Sequence, residues 1–142
     1  MEKEFVPYEI ALKLKELGFD EPCLIYYLDD VNNTLIPVRP YHDKCESDSY
    51  PTNKDLMENW ASAPTFSQTF RWFREKHGIW VTFEYDDCDC IEANICWYVG
   101  KCFIYGTGPL FLTNELGDFR TYEEAELACL NKLIEIVKSK SK

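Results

Sequence analysis

The sequence predicts an α+β fold in which an antiparallel sheet of four to five strands carries three main helices on one face, in the order αββ-αββ(β)-α. Three observations predict it. Apolar residues recur at helical spacing in three separate segments. Short β-branched and aromatic runs, broken by acidic turns, follow the first two of them. A chain of 142 residues that is 46% hydrophobic can bury one core without metal or disulfides. The whole of 1–142 therefore reads as a single α+β domain with a long irregular insertion at 39–63.

The first helix is expected over about 7–17. Pro7 suits a first turn, where its missing N–H has no partner anyway, and Gly18 suits the left-handed position past the end. Between them Ile10, Leu14 and Leu17 recur at i, i+4 and i+7. A hairpin follows, from the apolar run 23–28 through Asp29-Asp30-Val31-Asn32-Asn33 to the run 34–38. Pro40 and Pro51 interrupt the insertion, and Asn53 is expected to cap a short helix carrying Leu56, Met57 and Trp60.

The second helix opens on a capping box, with the Thr65 hydroxyl taking the N–H of Gln68 and the Gln68 amide reaching back. Phe66, Phe70 and Phe73 form its apolar stripe, Arg71, Arg74 and Glu75 point away, and Trp72 falls about 100° off the stripe. Gly78 ends it. In the strand 79–85, Trp80, Thr82 and Glu84 alternate against Ile79, Val81, Phe83 and Tyr85. Beyond the acidic turn 86–90, the stretch 91–99 reads as a strand, Gly100 divides it from another at 101–105, and Gly106-Thr107-Gly108-Pro109 reads as a loop. The last helix opens on a second capping box, Thr121 to Glu124, and ends among Lys138, Lys140 and Lys142, so both ends suit the dipole. Its stripe of Tyr122, Ala125, Cys129, Leu133 and Ile136 is widened by Leu127, Leu130, Ile134 and Val137 to about half the circumference, which requires cover on two sides. Helix, glycine, apolar strand, acidic turn and strand recur in the same order in both halves, a weak internal repeat.

Fifteen basic against twenty-five acidic side chains leave −10, which argues against direct nucleic-acid binding or an anionic membrane surface. No apolar run approaches the ~20 residues that cross a bilayer. Glu2 and Glu4 stand where a signal peptide is positive, and the odd number of cysteines, seven, sits mostly in apolar patterns; a reducing cytoplasm is expected.

Three segments carry a resemblance: 5–23, with Pro7-Tyr8-Glu9-Ile10 and Leu17-Gly18-Phe19; 63–76, with Ser67-Gln68 and Phe70-Arg71-Trp72-Phe73-Arg74-Glu75-Lys76; and 121–138, with Tyr122-Glu123-Glu124-Ala125. They resemble small uncharacterised proteins encoded by phages and prophages of gut bacteria, over about half of the chain. The resemblance implies a phage-associated accessory protein in the cytoplasm of a bacterial host. It brings no assigned activity, so no catalytic residue is carried over.

Trp and Arg are the residues that anchor interfaces, which makes Trp60, Arg71, Trp72 and Arg74 the candidate binding residues. If Trp72 is exposed, the second helix is a partner surface or a site for an anionic ligand; otherwise Trp72 packs under 39–63 and the arginines pair with acids. Glu84, Asp86, Asp87, Asp89 and Glu92 form an acidic patch. It reads either as imitation of a nucleic-acid backbone, occupying a host enzyme's basic cleft, or as ordinary solubility. Cys88 and Cys90, with His42 and Cys45 as an H-x-x-C pair, are an alternative zinc set, although Cys96 and Cys102 fit strands as core residues and zinc sites usually show two tighter pairs. Only His42 and His77 could activate a cysteine, and His77 is expected to finish a helix as an imidazolium. No G-x-S-x-G, H-E-x-x-H, P-loop or dinucleotide fingerprint appears. The expectation is a non-enzymatic protein without cofactor that binds a protein or small ligand, with self-association open. The alternatives are an acidic mimic and a small hydrolase or zinc protein.

Overall fold

In a computed structural model, which describes residues 2–38, 50–86, 97–104, 108–112, 119 and 121–141, the chain is α+β, with three helices and antiparallel strands. It divides into two units, Met1–Gln68 and Thr69–Lys142, and the boundary falls in the first turn of the second helix.

The first unit holds a 3-10 turn at Glu2–Glu4, helix α1 (Tyr8–Glu16) and strands β1 (Ile25–Tyr27), β2 (Leu35–Pro37) and β3 (Ala61–Ser62). Pro7, expected in the first turn, stands one residue earlier at the N-cap of α1, its carbonyl taking the Ala11 N–H at 2.9 Å. The helix closes through Gly18 at φ +90°, whose N–H donates to Lys15 while Phe19 donates to Leu14. α1 buries Ile10, Ala11 and Leu14 beside Val6, Phe19 and Tyr27, and the Tyr27 hydroxyl donates to the Val6 carbonyl at 2.8 Å. The hairpin forms as expected, with Tyr26 opposite Ile36. Its turn is organised by Asp30, which accepts from the N–H groups of Asn32 and Thr34, and Asn33 takes the positive φ of 49° that asparagine tolerates.

Two expectations for the insertion are corrected. Asn53 caps no helix; it is buried, its Nδ2 donating to the Phe19 carbonyl at 2.7 Å and its Oδ1 accepting from the Ser62 N–H at 2.9 Å. An amide can satisfy a donor and an acceptor on two separate backbone segments at once, and here that outweighs a cap. The short helix at 56–60 is replaced by turns whose carbonyls converge on the Lys15 ammonium, an arrangement that parallel helical carbonyls cannot provide. Beyond them β3, unforeseen in the sequence, pairs with β1.

Across the unit boundary runs α2 (Phe66–His77), followed by β4 (Ile79–Asp86), β5 (Trp97–Ile104), β6 (Gly108–Leu112) and α3 (Tyr122–Lys140). The first half of the α2 capping box is present, Gln68 N–H to Thr65 Oγ1 at 3.1 Å, but the Gln68 amide donates to the Pro22 carbonyl rather than reaching back. Gly78 ends α2 at φ +65°. Gly100 divides nothing: it lies inside the continuous β5, opposite Phe83, where the register of eight consecutive β4–β5 pairs holds it in place. Gly108 and Pro109, expected in a loop, begin β6 instead. Pro109 sits opposite Phe103 at a register shift on the outer strand, where its missing N–H interrupts little. α3 follows its expected capping, the Thr121 hydroxyl accepting from Glu124 at 3.2 Å, and buries Ala125, Cys129, Leu130, Leu133, Ile134 and Val137; of the expected arc, Leu127 and Ile136 are half-buried and Tyr122 is exposed.

The strands form two three-stranded antiparallel sheets, β2-β1-β3 and β4-β5-β6, rather than one of four to five. β3 occupies the second edge of β1, so β1 is bonded on both sides within its own unit. The internal repeat stops at element order. The first strand of the trio is central in one sheet and the second in the other, and β1 has three residues where β4 has eight.

Candidate functional site

Helix α2 and strand β4 build the most distinctive surface of the second unit. The stripe of α2 turns inward as its periodicity requires: Phe73 is fully buried, and Phe70 meets Phe83 of β4 edge-on at 5.6 Å. Phe83 also contacts Tyr122 of α3 at 5.0 Å, so both helices meet β4 through the same side chain. Trp72, expected to anchor a partner surface on this helix if exposed, is only 3% exposed and takes no part in one. Its indole lies edge-on to Phe73 at 5.0 Å and to His77 at 4.8 Å, drawn in because the apolar arc of α2 extends well beyond its central stripe.

Arg71 and Arg74 are exposed, one turn apart on the same helix face. The Arg74 guanidinium lies 5.1 Å over the ring of Trp80, which is 45% exposed. Strand alternation explains that exposure: Ile79, Val81 and Phe83 turn toward cover, and Trp80 and Thr82 turn to solvent. A guanidinium has five N–H donors, more than one ring contact can occupy, and among the described residues no carboxylate pairs with Arg74. Sequence reasoning placed Trp80 on the same strand face as Thr82 and Glu84 without naming it as a binding residue; that alternation was the signal for it.

Trp60 belongs to the first unit, where it is half-buried and stacked on Tyr26 at 5.5 Å and 18°. Lys15 Nζ donates to the carbonyls of Met57 at 2.8 Å, Glu58 at 3.0 Å and Trp60 at 2.7 Å. Burial in this cradle pushes the Lys15 pKa down, partly offset by the Glu58 charge. One turn and more away on α1, the Tyr8 hydroxyl donates to the Asn59 carbonyl at 2.9 Å. The Trp60 loop is thus fastened to one helix.

Of the acidic patch, Glu84 and Asp86 occupy β4 opposite Val99 and Trp97, whereas Asp87, Asp89 and Glu92 lie outside the described residues. So do Cys88, Cys90, His42 and Cys45, the whole zinc alternative, and Cys96. Among the described residues no group of three metal-ligating side chains comes together. Cys102 lies in β5 opposite Val81. Cys23 and Cys129 are buried free thiols, and burial pushes the Cys23 pKa up to about 12, so it is a thiol and no nucleophile at neutral pH. His77 does finish α2, but as a neutral ring: burial, and then the Lys140 charge, lower its pKa, and its buried Nε2 has no hydrogen-bond partner among the described residues. Desolvation here exceeds the helix-end attraction that favours an imidazolium.

Among the described residues no helix is long and apolar enough to cross a membrane. No protein-family model matches the chain, and neither the curated proteins nor the solved structures include a significant match to it.

Proposed function

We propose that the chain is a phage or prophage accessory protein of the bacterial cytoplasm that acts by binding a protein partner, without catalysis of its own, through the α2–β4 surface of Arg71, Arg74 and Trp80. The resemblance of three sequence segments supports the phage association. The observation that carries the binding reading is the Arg74–Trp80 stack, an exposed pair of the two residue types that dominate interface energetics. As a purely structural contact an exposed cation–π pair contributes only about 0.5–1 kcal/mol. A half-exposed indole therefore gains much more by being covered than by holding one arginine.

Affinity capture from bacterial lysate with the wild type, Arg74→Ala, Trp80→Ala and Met57→Ala tests this, Met57 being an exposed residue of the first unit. The expected result is a partner held by the wild type and Met57→Ala and lost by both α2–β4 variants. Retention by Arg74→Ala and Trp80→Ala alike overturns the reading.

A further inference from the structure

We infer that the partner meets this surface with a short acidic segment of polypeptide, one carboxylate in the Arg74 fork and an apolar neighbour on the open face of Trp80. The inference rests on the α2–β4 docking reading and specifies its chemistry. Four features point to it. The guanidinium carbon lies 5.1 Å over the Trp80 ring, so part of the ordering cost of a long side chain is already met before a partner arrives. Its N–H rim, unclaimed by any carboxylate among the described residues, matches the two oxygens of a carboxylate. Trp80 beside it is a broad apolar plate with 45% of its surface open, which a peptide side chain covers and a bare anion does not. Arg71 stands exposed one turn earlier on the same helix face.

A phosphate-bearing polymer would satisfy the same fork, and two charges argue against it. Glu75, next in sequence to Arg74 and four residues on from Arg71, is exposed on α2, so a chain of closely spaced phosphates laid along the helix meets a carboxylate. The protein as a whole carries −10, which repels a polyanion at long range far more than a peptide with one or two carboxylates. A peptide can also place a neutral or basic residue opposite Glu75.

The test is nitrogen-15 NMR of the full chain, reading the Trp80 indole N–H and the Arg74 Nε–H resonances. Probes are a short blocked peptide of glutamate and leucine, the same peptide with lysine for glutamate, and a short oligothymidylate. The acidic peptide is expected to shift both resonances, with affinity falling about tenfold or more in Arg74→Ala and partly retained in Arg74→Lys, which keeps the charge without the fork. Equal or stronger shifts with the lysine peptide or with oligothymidylate overturn the inference. So does the absence of any shift with the acidic peptide at millimolar concentration. If the lysate partner is still lost by Arg74→Ala and Trp80→Ala in that case, docking at α2–β4 stands and only the acidic chemistry falls.

Discussion

Lys15→Met removes one ammonium and keeps the apolar stem that lies along α1. Three charge-assisted bonds at about 1.5–3 kcal/mol each would sum to far more than the change should cost. The bonds to the Met57 and Glu58 carbonyls are exposed, and water replaces the ammonium there almost without loss. Only the Trp60 carbonyl, bonded in a part-buried position at 2.7 Å, is left short of a partner. The desolvation that lowers the Lys15 pKa is also relieved by the substitution. The net expectation is one bond's worth, about 1.5–3 kcal/mol, all of it in the first unit. With a urea slope of roughly 1–3 kcal/mol per molar, the unfolding midpoint followed by circular dichroism should fall by about 1 M. Hydrogen exchange should localise the effect, since the Trp60 N–H, bonded to Met57 at 3.0 Å, belongs to the same turn and should lose protection first. A midpoint within about 0.2 M of wild type, with Trp60 protection intact, would refute the claim that the cradle holds this loop.

Three further outcomes follow from buried polar groups. Below the ordinary histidine value of 6.5 the unfolded chain takes up a proton that the buried His77 ring resists, so stability is full above that pH and falls below it, by at most ~1.4 kcal/mol per pH unit. His77→Gln should flatten the thermal-midpoint profile between about pH 7 and 5, and superimposable profiles would count against the neutral ring. Asn53→Ala should cost about 2–4 kcal/mol in chemical denaturation, because the Phe19 carbonyl and the Ser62 N–H both lose their partner. Asn53→Asp should also destabilise, and more at neutral than at acid pH, since the oxygen that replaces Nδ2 then faces the Phe19 carbonyl while the other keeps the Ser62 N–H. Cys23 should resist iodoacetamide at neutral pH until denaturant is added, as read by mass spectrometry of the modified peptides.

Local chemistry was legible and distant pairing was not. The α3 cap needs only Thr121 and Glu124, three residues apart, and both glycine-ended helices close within one turn of Gly18 and Gly78. The β1–β2 hairpin is likewise a short-range event around Asp30. Ala61–Ser62 carries no strand pattern at all; two residues become a strand because β1, more than thirty positions earlier, offers a free edge. Asn commonly caps a helix, and nothing near Asn53 in sequence announces that Phe19 and Ser62 are the groups it joins. Of the candidate site, Arg71 and Arg74 were found by helical periodicity, while the partner of Arg74 lay on another element and was missed.

The two tryptophans of α2 and β4 show why one binding residue moved. A helix presents a continuum of angles, so a large ring about 100° from the stripe can swing onto a neighbour of its own helix, and Trp72 does so against Phe73 and His77. A strand offers two faces only. Once Ile79 and Phe83 commit one face of β4 to the core, Trp80 has no rotation that hides it, and the nearest compensation is a cation from the preceding helix. Arg74 supplies that cation across the tight reversal at Gly78, four residues on. The exposed indole is therefore a consequence of strand register that folding alone could have avoided with a Thr at position 80, as at Thr82 beside it. A tryptophan there leaves a large desolvation gain at the surface, which the proposed partner would realise.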